Sequence, residues 1–437
     1  MQPVLQNLDL RLNELLKYDG LRKGVCEFGA VLDVDEKNSV GFVSGSSGRE
    51  LVDSVFHVIY HPSMESFVSS FKKEASRKIC GKTFYFYETT WGRFNDGTDE
   101  MKIQNMTSPT HFRGLNVLFV ASFHNNDATM SQFHMITFLC QCFVRSLTVL
   151  LPYYSTGTME RVDIGADGIV PTANTLAMLF NGLPSVGFPI RVMTYDLHTL
   201  QNRFYFSGHA LSSLHTAIPL IIKVIRDSES AGGDNVIRAV VFPDEGSHKR
   251  FGILFQKAGI KMIICSKVRN GDEKKVTLSS SGEDLRGDDH VMLIDDQTKS
   301  GGTLIECAGA LKEHGFEKFS AFVTHAVCTD EFWSKFVSKN KIIKIDARGE
   351  RSSPYGSSED DVLIPISIFK KFYCTDSYPV SDVFDEFKTG KELRWKKTVS
   401  GVVTQYMVDS VDGGRREESV KDILHILPLA EQVLEDL

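Results

Sequence analysis

The segment from His290 to Val327, HVMLIDDQTKSGGTLIECAGALKEHGFEKFSAFVTHAV, constrains the fold of this chain more than any other. Val291–Ile294 is a continuous apolar run, as for a strand buried on both faces of a parallel sheet. Asp295 and Asp296 follow at its carboxyl end. Leu304, Cys307, Ala308 and Leu311 then share one helical face, Gly315 stops the helix, and Phe319–Val323 makes the next strand. Strand, loop, helix and strand in so short a span imply a right-handed crossover in a parallel sheet. Ligands of open α/β sheets bind outside the carboxyl ends of the strands. This loop falls there.

The loop chemistry is specific. Ser300-Gly301-Gly302-Thr303 opens a helix, so several backbone N–H groups lack intrahelical partners and point outward. With the helix dipole they favour an anion, and the two glycines let backbone approach it closely. The paired carboxylates Asp295 and Asp296 would repel a bare phosphate but accept hydrogen bonds from vicinal hydroxyls. Phosphate on the loop and a diol on the carboxylates describe a ribose 5-phosphate, with Thr298 in the same candidate site. A lone Gly-Gly is usually an ordinary strand-to-helix turn; Asp-Asp before it and a clean helix after it favour the ligand.

The alternation of strands and helices runs through the whole chain. In the first half Val40–Val43, Lys82–Tyr87, Val117–Ser122, Ser146–Tyr153 and Ile190–Tyr195 read as strands. Ser47–Val58, Ser131–Val144 and Ala173–Phe180 read as helices. In the second half Ile237–Val241, Lys261–Cys265, Val291–Ile294 and Phe319–Val323 read as strands, with helices around Lys249–Ala258 and Leu304–Glu313. The pattern predicts an α/β protein of two stacked domains, each with a central mostly parallel sheet flanked by helices, and a site between them. Residues 1–36, residues near 60–80 and residues 381–416 read as additions. The leucines at 5, 8, 12, 15 and 16 suit a docking helix, and Asp9, Glu14 and Asp19 argue against a transit peptide.

Composition excludes several classes. A net charge of −7 without a clustered basic face makes nucleic acid a poor partner. No apolar run reaches membrane-spanning length. The eight cysteines form no C-x-x-C pair and sit mostly in apolar contexts, which suits core thiols in a reducing, cytoplasmic compartment.

Beyond the loop, five further segments follow in order. They are Trp91–Thr98 (WGRFNDGT), Asp196-Leu197-His198 with Gln201 and Phe204–Phe206, Phe242-Pro243-Asp244, Lys267-Val268-Arg269, and Cys374-Thr375-Asp376-Ser377. Each is weak alone. With the loop, which resembles the PRPP-binding signature of phosphoribosyltransferases, the series resembles ribose-phosphate diphosphokinases (PRPP synthetases), most closely the divergent plant-type class. The likeness covers roughly residues 40–380 and the end of the chain.

The resemblance implies two phosphoribosyltransferase-like domains, 37–205 and 206–380, an extension at 1–36 and an insertion at 381–418. It returns the terminal helix, within 419–437, to the first domain. It implies transfer of the diphosphate of Mg-ATP to O1 of ribose 5-phosphate. Lys267 and Arg269 become transition-state stabilisers, arriving when the polar segment Asn270–Arg286 closes as a mobile lid. Ribose 5-phosphate falls to Asp295, Asp296, Thr298, Ser300, Gly301, Gly302 and Thr303. ATP falls to Phe94, Asp96, Arg161 and His198, with His198 and Asp244 near Mg²⁺. The family's adenine-side loop often comes from a neighbouring subunit, so an oligomer is implied, of one chain or with paralogues. Read without the resemblance, Lys267 and Arg269 make a solvated basic turn and Asp96-Gly97 a hairpin turn. His198 is then a core histidine and Asp244 a turn residue.

The chain departs from the usual family where Thr158 and Met159 replace an Arg-Gln pair and where Asp163 and Asp167 lie in an ordinarily basic loop. Thr98 replaces a glutamate. These changes put nucleotide preference and phosphate activation in question. The plant-type class carries a similar TG-x-x-ER segment. Two other readings compete: a non-catalytic regulatory subunit of the same family, and a transferase that consumes PRPP. The presence of Lys267, Arg269, Asp295 and Asp296 weighs against the first. The matches outside the loop weigh against the second.

Overall fold

The computed structural model describes residues 31–32, 39–42, 55–77, 82–106, 108, 110–160, 168–270, 273–280, 285–327, 343–345, 351–352, 362–364, 368–379, 392–397, 403–408 and 424–437. It divides into two units, Met1–Thr216 with Pro428–Leu437, and Ala217–Leu427. The expected class, α/β with two mostly parallel sheets flanked by helices, is what the chain adopts.

The first unit contains β1 (Val31–Leu32), β2 (Ser39–Phe42), β3 (Val55–Tyr60), α1 (Glu65–Arg77), β4 (Thr83–Phe86), β5 (Thr89–Arg93) and β6 (Asp99–Ile103). It continues with β7 (Asn116–Val120), α2 (Asn126–Gln141), β8 (Ser146–Leu150), α3 (Thr172–Asn181), β9 (Ile190–Tyr195) and β10 (Ala210–His215). Its sheet has the order β1-β2-β4-β3-β7-β8-β9-β10, parallel from β4 through β10. The central β7 is buried along its whole length, which explains its unbroken apolar core, Val117–Val120. One face packs Phe133, Ile136 and Leu139 of α2 and Phe180 of α3 on Phe119, Val149 and Val192. The other face receives Phe71 of α1, whose ring meets Phe84 at 5.1 Å. β5 and β6 form a separate two-stranded hairpin.

The second unit contains α4 (Ile218–Ala231), β11 (Ile237–Phe242), α5 (Glu245–Lys257), β12 (Lys261–Asn270), β13 (Glu273–Ser280), β14 (His290–Thr298), α6 (Gly302–Glu313) and β15 (Lys318–Ala326). It then adds β16 (Ile343–Ile345), β17 (Arg351–Ser352), β18 (Val362–Ile364), β19 (Lys371–Thr375), β20 (Glu392–Lys397), β21 (Val403–Val408) and β22 (Leu424–Leu427). The main sheet runs β13-β12-β11-β14-β15-β19-β22, parallel except for β13. Leu304, Cys307, Ala308 and Leu311 of α6 bury one face, as their spacing predicts. The remaining strands form a five-stranded antiparallel sheet, β17-β16-β18-β20-β21. After β22 the chain ends in α7 (Ala430–Asp436), which packs on α1 in the first unit.

Several elements differ from the sequence reading. Ser47–Val58 was expected as a helix, yet its last residues belong to strand β3; the rest lies outside the described residues. A short buried strand and a helix segment carry the same apolar count, so periodicity alone cannot separate them. The stretch near 60–80, expected as a lengthened connection, contains α1, whose Phe67, Val68, Phe71 and Ala75 are buried beneath a charged outer face. The terminal helix starts only at Ala430, because Leu424–Leu427 pairs with β19. The expected docking helix near the N-terminus lies outside the described residues.

His57 on β3 is buried between Tyr85, Tyr87 and Phe112, with Nδ1 2.8 Å from the Tyr87 hydroxyl. Burial, with the charge of His111 second, lowers its pKa from 6.5 to about 3. The folded chain therefore keeps His57 neutral where the unfolded chain takes up a proton. Its contribution to stability is full above pH 6.5 and is lost as pH falls from 6.5 toward 3. His57→Phe is expected to flatten this part of the acid loss, read as urea midpoints at pH 7.5, 5.5 and 4.5. Parallel pH curves for variant and parent would rule the assignment out.

Candidate active site

In the second unit the chain runs from β11 through α5 to β12 on one side, then returns to β14 on the other side of β11. Strand order reverses between β11 and β14, and crevices at such switch points are where α/β proteins take ligands. Asp244 stands at the end of β11, and Asp295 to Thr303 follow the core of β14. β14 continues to Thr298, so Asp295 and Asp296 lie on the strand's last turns of pleat rather than after it.

Asp296 is only 2% exposed and is met by the Arg250 guanidinium of α5 at 2.7 Å. Arg250 also lies over the ring of Phe251. The approach is a charge contact, not a directed hydrogen bond from that nitrogen. Asp295 accepts the backbone N–H of Asp296 at 3.0 Å. Its own pKa is held well above the usual 3.8, first by burial, then by the charge of Asp296 and a hydrogen bond to it, and then by Asp244. Asp244 is exposed, and its Oδ1 caps α5 by accepting the N–H of Ser247 at 2.8 Å.

The helix start after β14 is built differently. Gly301 is the N-cap of α6 at φ 72°, in the left-handed region that glycine tolerates, and no side chain caps the helix. The N–H groups of Gly302, Thr303 and Leu304 have no protein partner among the described residues. Asn125 caps α2 and Asp244 caps α5, whereas α3 and α4, like α6, have no side-chain cap. A twelve-residue helix thus presents uncapped donors beside two carboxylates. An anion on the former and hydroxyls on the latter can be held at once. Thr298 is buried, and its carbonyl accepts from Val327.

Lys267 and Arg269 sit on β12, in register with Val276 and Lys274 of β13. β12 pairs with β11 only as far as Ile264, so these two positions extend past the carboxyl edge of the sheet. The segment expected as an irregular lid therefore contains a strand, and the basic pair rides on a β-hairpin.

The remaining candidates belong to the first unit. Phe94 and Asp96 form the tip of the β5–β6 hairpin. Phe94 is 53% exposed, and Asp96 Oδ1 accepts the N–H and hydroxyl of Thr98 at 3.0 and 2.6 Å. Those hydrogen bonds, the hydroxyl first, lower the Asp96 pKa. The carboxylate shapes the turn, as its hairpin reading requires, and leaves the phenylalanine outward. His198 follows β9 and is half-buried, after Asp196, a buried residue at φ 39°. The Asp196–Phe206 segment holds the Tyr153–Glu160 loop. The Asn202 amide donates to the Gly157 carbonyl at 2.9 Å, and the Tyr205 hydroxyl to Glu160 at 2.8 Å. Arg161 lies outside the described residues.

The first unit has its own switch point, between β3 and β7. There the strand ends carry His61 and His124, ring centroids 5.9 Å apart, with Trp91 4.7 Å from His61. Burial first, then the charge of His124, lowers His61 to about 4. Among the described residues, neutral imidazoles stand at this crevice where the second unit has carboxylates.

Arg250 and Asn202 carry no signal of their own in the sequence, while Tyr205 falls within the Phe204–Phe206 segment. Arg250 falls six residues after the Pro-Asp turn in an otherwise solvent-type stretch, SHKRFG, and only its buried partner distinguishes it.

A phosphoribosyl transferase domain family matches residues 211–346, which span the β11–β14 crevice and α6. The fold also matches the crystal structure of phosphoribosylpyrophosphate synthetase from Mycobacterium smegmatis. That likeness has a TM-score of 0.56 at 18% identity and covers 87% of this chain and 96% of that one. The class is therefore that of phosphoribosyltransferase-fold proteins. Ribose-phosphate pyrophosphokinase 4 of Oryza sativa subsp. japonica is 37% identical over 61% of this chain and 79% of its own length. Ribose-phosphate pyrophosphokinase 3, chloroplastic, of the same organism is 35% identical over 68% and 73%. The chain belongs to the ribose-phosphate pyrophosphokinase family, another name for the diphosphokinases that its motifs resemble. Among the described residues no helix is long and apolar enough to cross a membrane.

The charge balance around Asp295 has a measurable cost. An acid whose folded pKa is raised costs nothing below its unfolded value of 3.8 and destabilises increasingly as pH rises above it. Asp295→Asn is therefore expected to melt higher than the parent at pH 7.5, with the difference vanishing near pH 4. Equal melting midpoints at both pH values would show that Asp295 carries no such strain.

Proposed function

We propose that this chain transfers the β,γ-diphosphate of Mg-ATP to O1 of ribose 5-phosphate, giving PRPP and AMP. The observation that carries the reading is the uncapped, glycine-opened start of α6 beside the Asp295–Asp296 pair, in a member of the pyrophosphokinase family.

In this reading the 5-phosphate takes the free N–H groups of Gly302, Thr303 and Leu304, with the hydroxyls of Ser300 and Thr303 beside it. The 2- and 3-hydroxyls donate to Asp295 and Asp296. Held at both ends, the sugar presents O1 in a fixed direction, which supplies the orientation that a two-substrate transfer otherwise pays for in entropy. Arg250 serves by keeping Asp296 in place with its charge compensated. The bond that forms joins O1 to the β-phosphorus; the bond that breaks joins that phosphorus to the oxygen retained by AMP. Negative charge grows on the phosphate oxygens as it breaks. Lys267 and Arg269, on the hairpin beyond the sheet edge, are the cations assigned to it.

Phe94, Asp96, Arg161 and His198 are assigned to ATP. The outward ring of Phe94 suits the base, and His198 the phosphates. Magnesium prefers oxygen and is held by one or two carboxylates plus substrate phosphates. Exposed Asp244 fits that demand, and no cluster of three or more His, Cys, Asp or Glu forms a protein-only cage among the described residues. Once bound, the ion would neutralise phosphate charge. An outward Phe94 also suits a neighbouring subunit, so an oligomer of this chain, or one with paralogues, is part of the proposal.

Purified protein supplied with Mg-ATP and ribose 5-phosphate is expected to form AMP and PRPP in equal amounts. No AMP above background, with the oligomer intact, would favour a non-catalytic regulatory subunit. Lys267→Ala should lower kcat by roughly 100-fold or more with little change in ribose 5-phosphate affinity, because the lysine acts on the transition state. Asp295→Ala should do the opposite, weakening ribose 5-phosphate binding measured by calorimetry. A Lys267 variant that loses affinity and turnover alike would place the lysine in ground-state binding.

A further inference from the structure

Cys265 on β12 and Cys307 on α6 face each other inside the second unit with their sulfurs 2.9 Å apart. Neither is part of a disulfide. Non-bonded heavy atoms ordinarily rest at about 3.5–4.0 Å, and a disulfide requires about 2.05 Å. The pair is therefore already inside contact distance and within ~1 Å of bonding. Both side chains belong to one apolar cluster with Leu293, Leu304 and Val323, at 0% and 3% exposure. Soft-metal binding would need further ligands, and no group of three or more His, Cys, Asp or Glu stands together among the described residues. Neither thiol has a task in the reaction proposed above.

We propose that Cys265 and Cys307 form a dithiol site that hydrogen peroxide converts to a disulfide. Peroxide oxidises one sulfur to a sulfenic acid and one water leaves. The second sulfur then attacks the first, the S–S bond forms, and the hydroxyl departs with the remaining proton as a second water. Two thiols and one peroxide thus give one disulfide and two waters. Burial sets the pace: the reaction waits for local opening of β12, the strand next to the edge strand β13.

The position gives the bond its consequence. It would tie β12, two residues before Lys267, to α6, five residues after Gly302. The basic hairpin and the phosphate-facing helix start would then be joined covalently and lose their independent adjustment. That consequence rests on the proposed reaction; the bond itself does not.

The test uses the full chain. Peroxide-treated protein is alkylated with N-ethylmaleimide, digested and mapped by mass spectrometry. The expected product is a Cys265 peptide joined to a Cys307 peptide, two hydrogens lighter than their sum and released by dithiothreitol. Cys307→Ala and Cys265→Ala should each abolish it. Recovery of both cysteines as separate alkylated or sulfinic peptides overturns the proposal. The map reads the bond and not turnover, so it is decided even if the enzyme makes no PRPP. Where the untreated enzyme turns over, the linked form is expected to be about ten-fold slower and to recover with dithiothreitol, a coupling that unchanged turnover of the linked form overturns.

Discussion

A carboxylate excluded from water at the end of a central strand is the constraint on which the second unit depends. Asp296 is almost wholly buried, and an unpaired charge there would cost several kilocalories per mole, on the order of 3–5. Arg250 removes that penalty from one turn into α5. The same helix begins at Asp244, whose negative charge acts in the opposite sense on Asp295. One helix thus positions a cation against one acid and an anion against the other. The outcome is a pair of adjacent carboxyls in unequal surroundings. Stability is given up at Asp295 and recovered in the packing of α6 and the strands around it.

The two units share a layout and diverge in chemistry. Each reverses its strand order beside the strand that precedes a helix, and each brings two strand ends to the same crevice. In the second unit those ends carry acids, and the β14 end leads into an uncapped helix. In the first they carry neutral imidazoles, with the Trp91 indole of β5 against His61, and the helix after β7 is capped by Asn125. A fold of this kind offers a crevice at both places, and the residues decide what chemistry each presents.

Much of the parallel core was legible because buried strands announce themselves by unbroken apolar runs. Ile190–Tyr195 is found at the bounds its pattern predicts, and the Leu304–Leu311 stripe buries as drawn. β3 was not legible, because six apolar-rich residues fit a helix as well as a strand. α1 was hidden by Lys72, Lys73 and Arg77, which mask a buried stripe one turn away. The β12–β13 hairpin was not legible, because the charged, Gly- and Ser-rich residues of 270–286 carry no apolar periodicity.

By itself the sequence determined the α/β class and the placing of two carboxylates before a glycine-opened helix. These follow from local chemistry, since strand pattern, backbone donors and acid pairs lie within a few residues of one another. Only the tertiary structure decided that Arg250 stands against Asp296, that Asn202 and Tyr205 hold the Gly157–Glu160 loop, and that two cysteines 42 positions apart touch. Those contacts join residues distant in sequence, and a side chain's pattern along the chain carries no record of the partner that folding places opposite it.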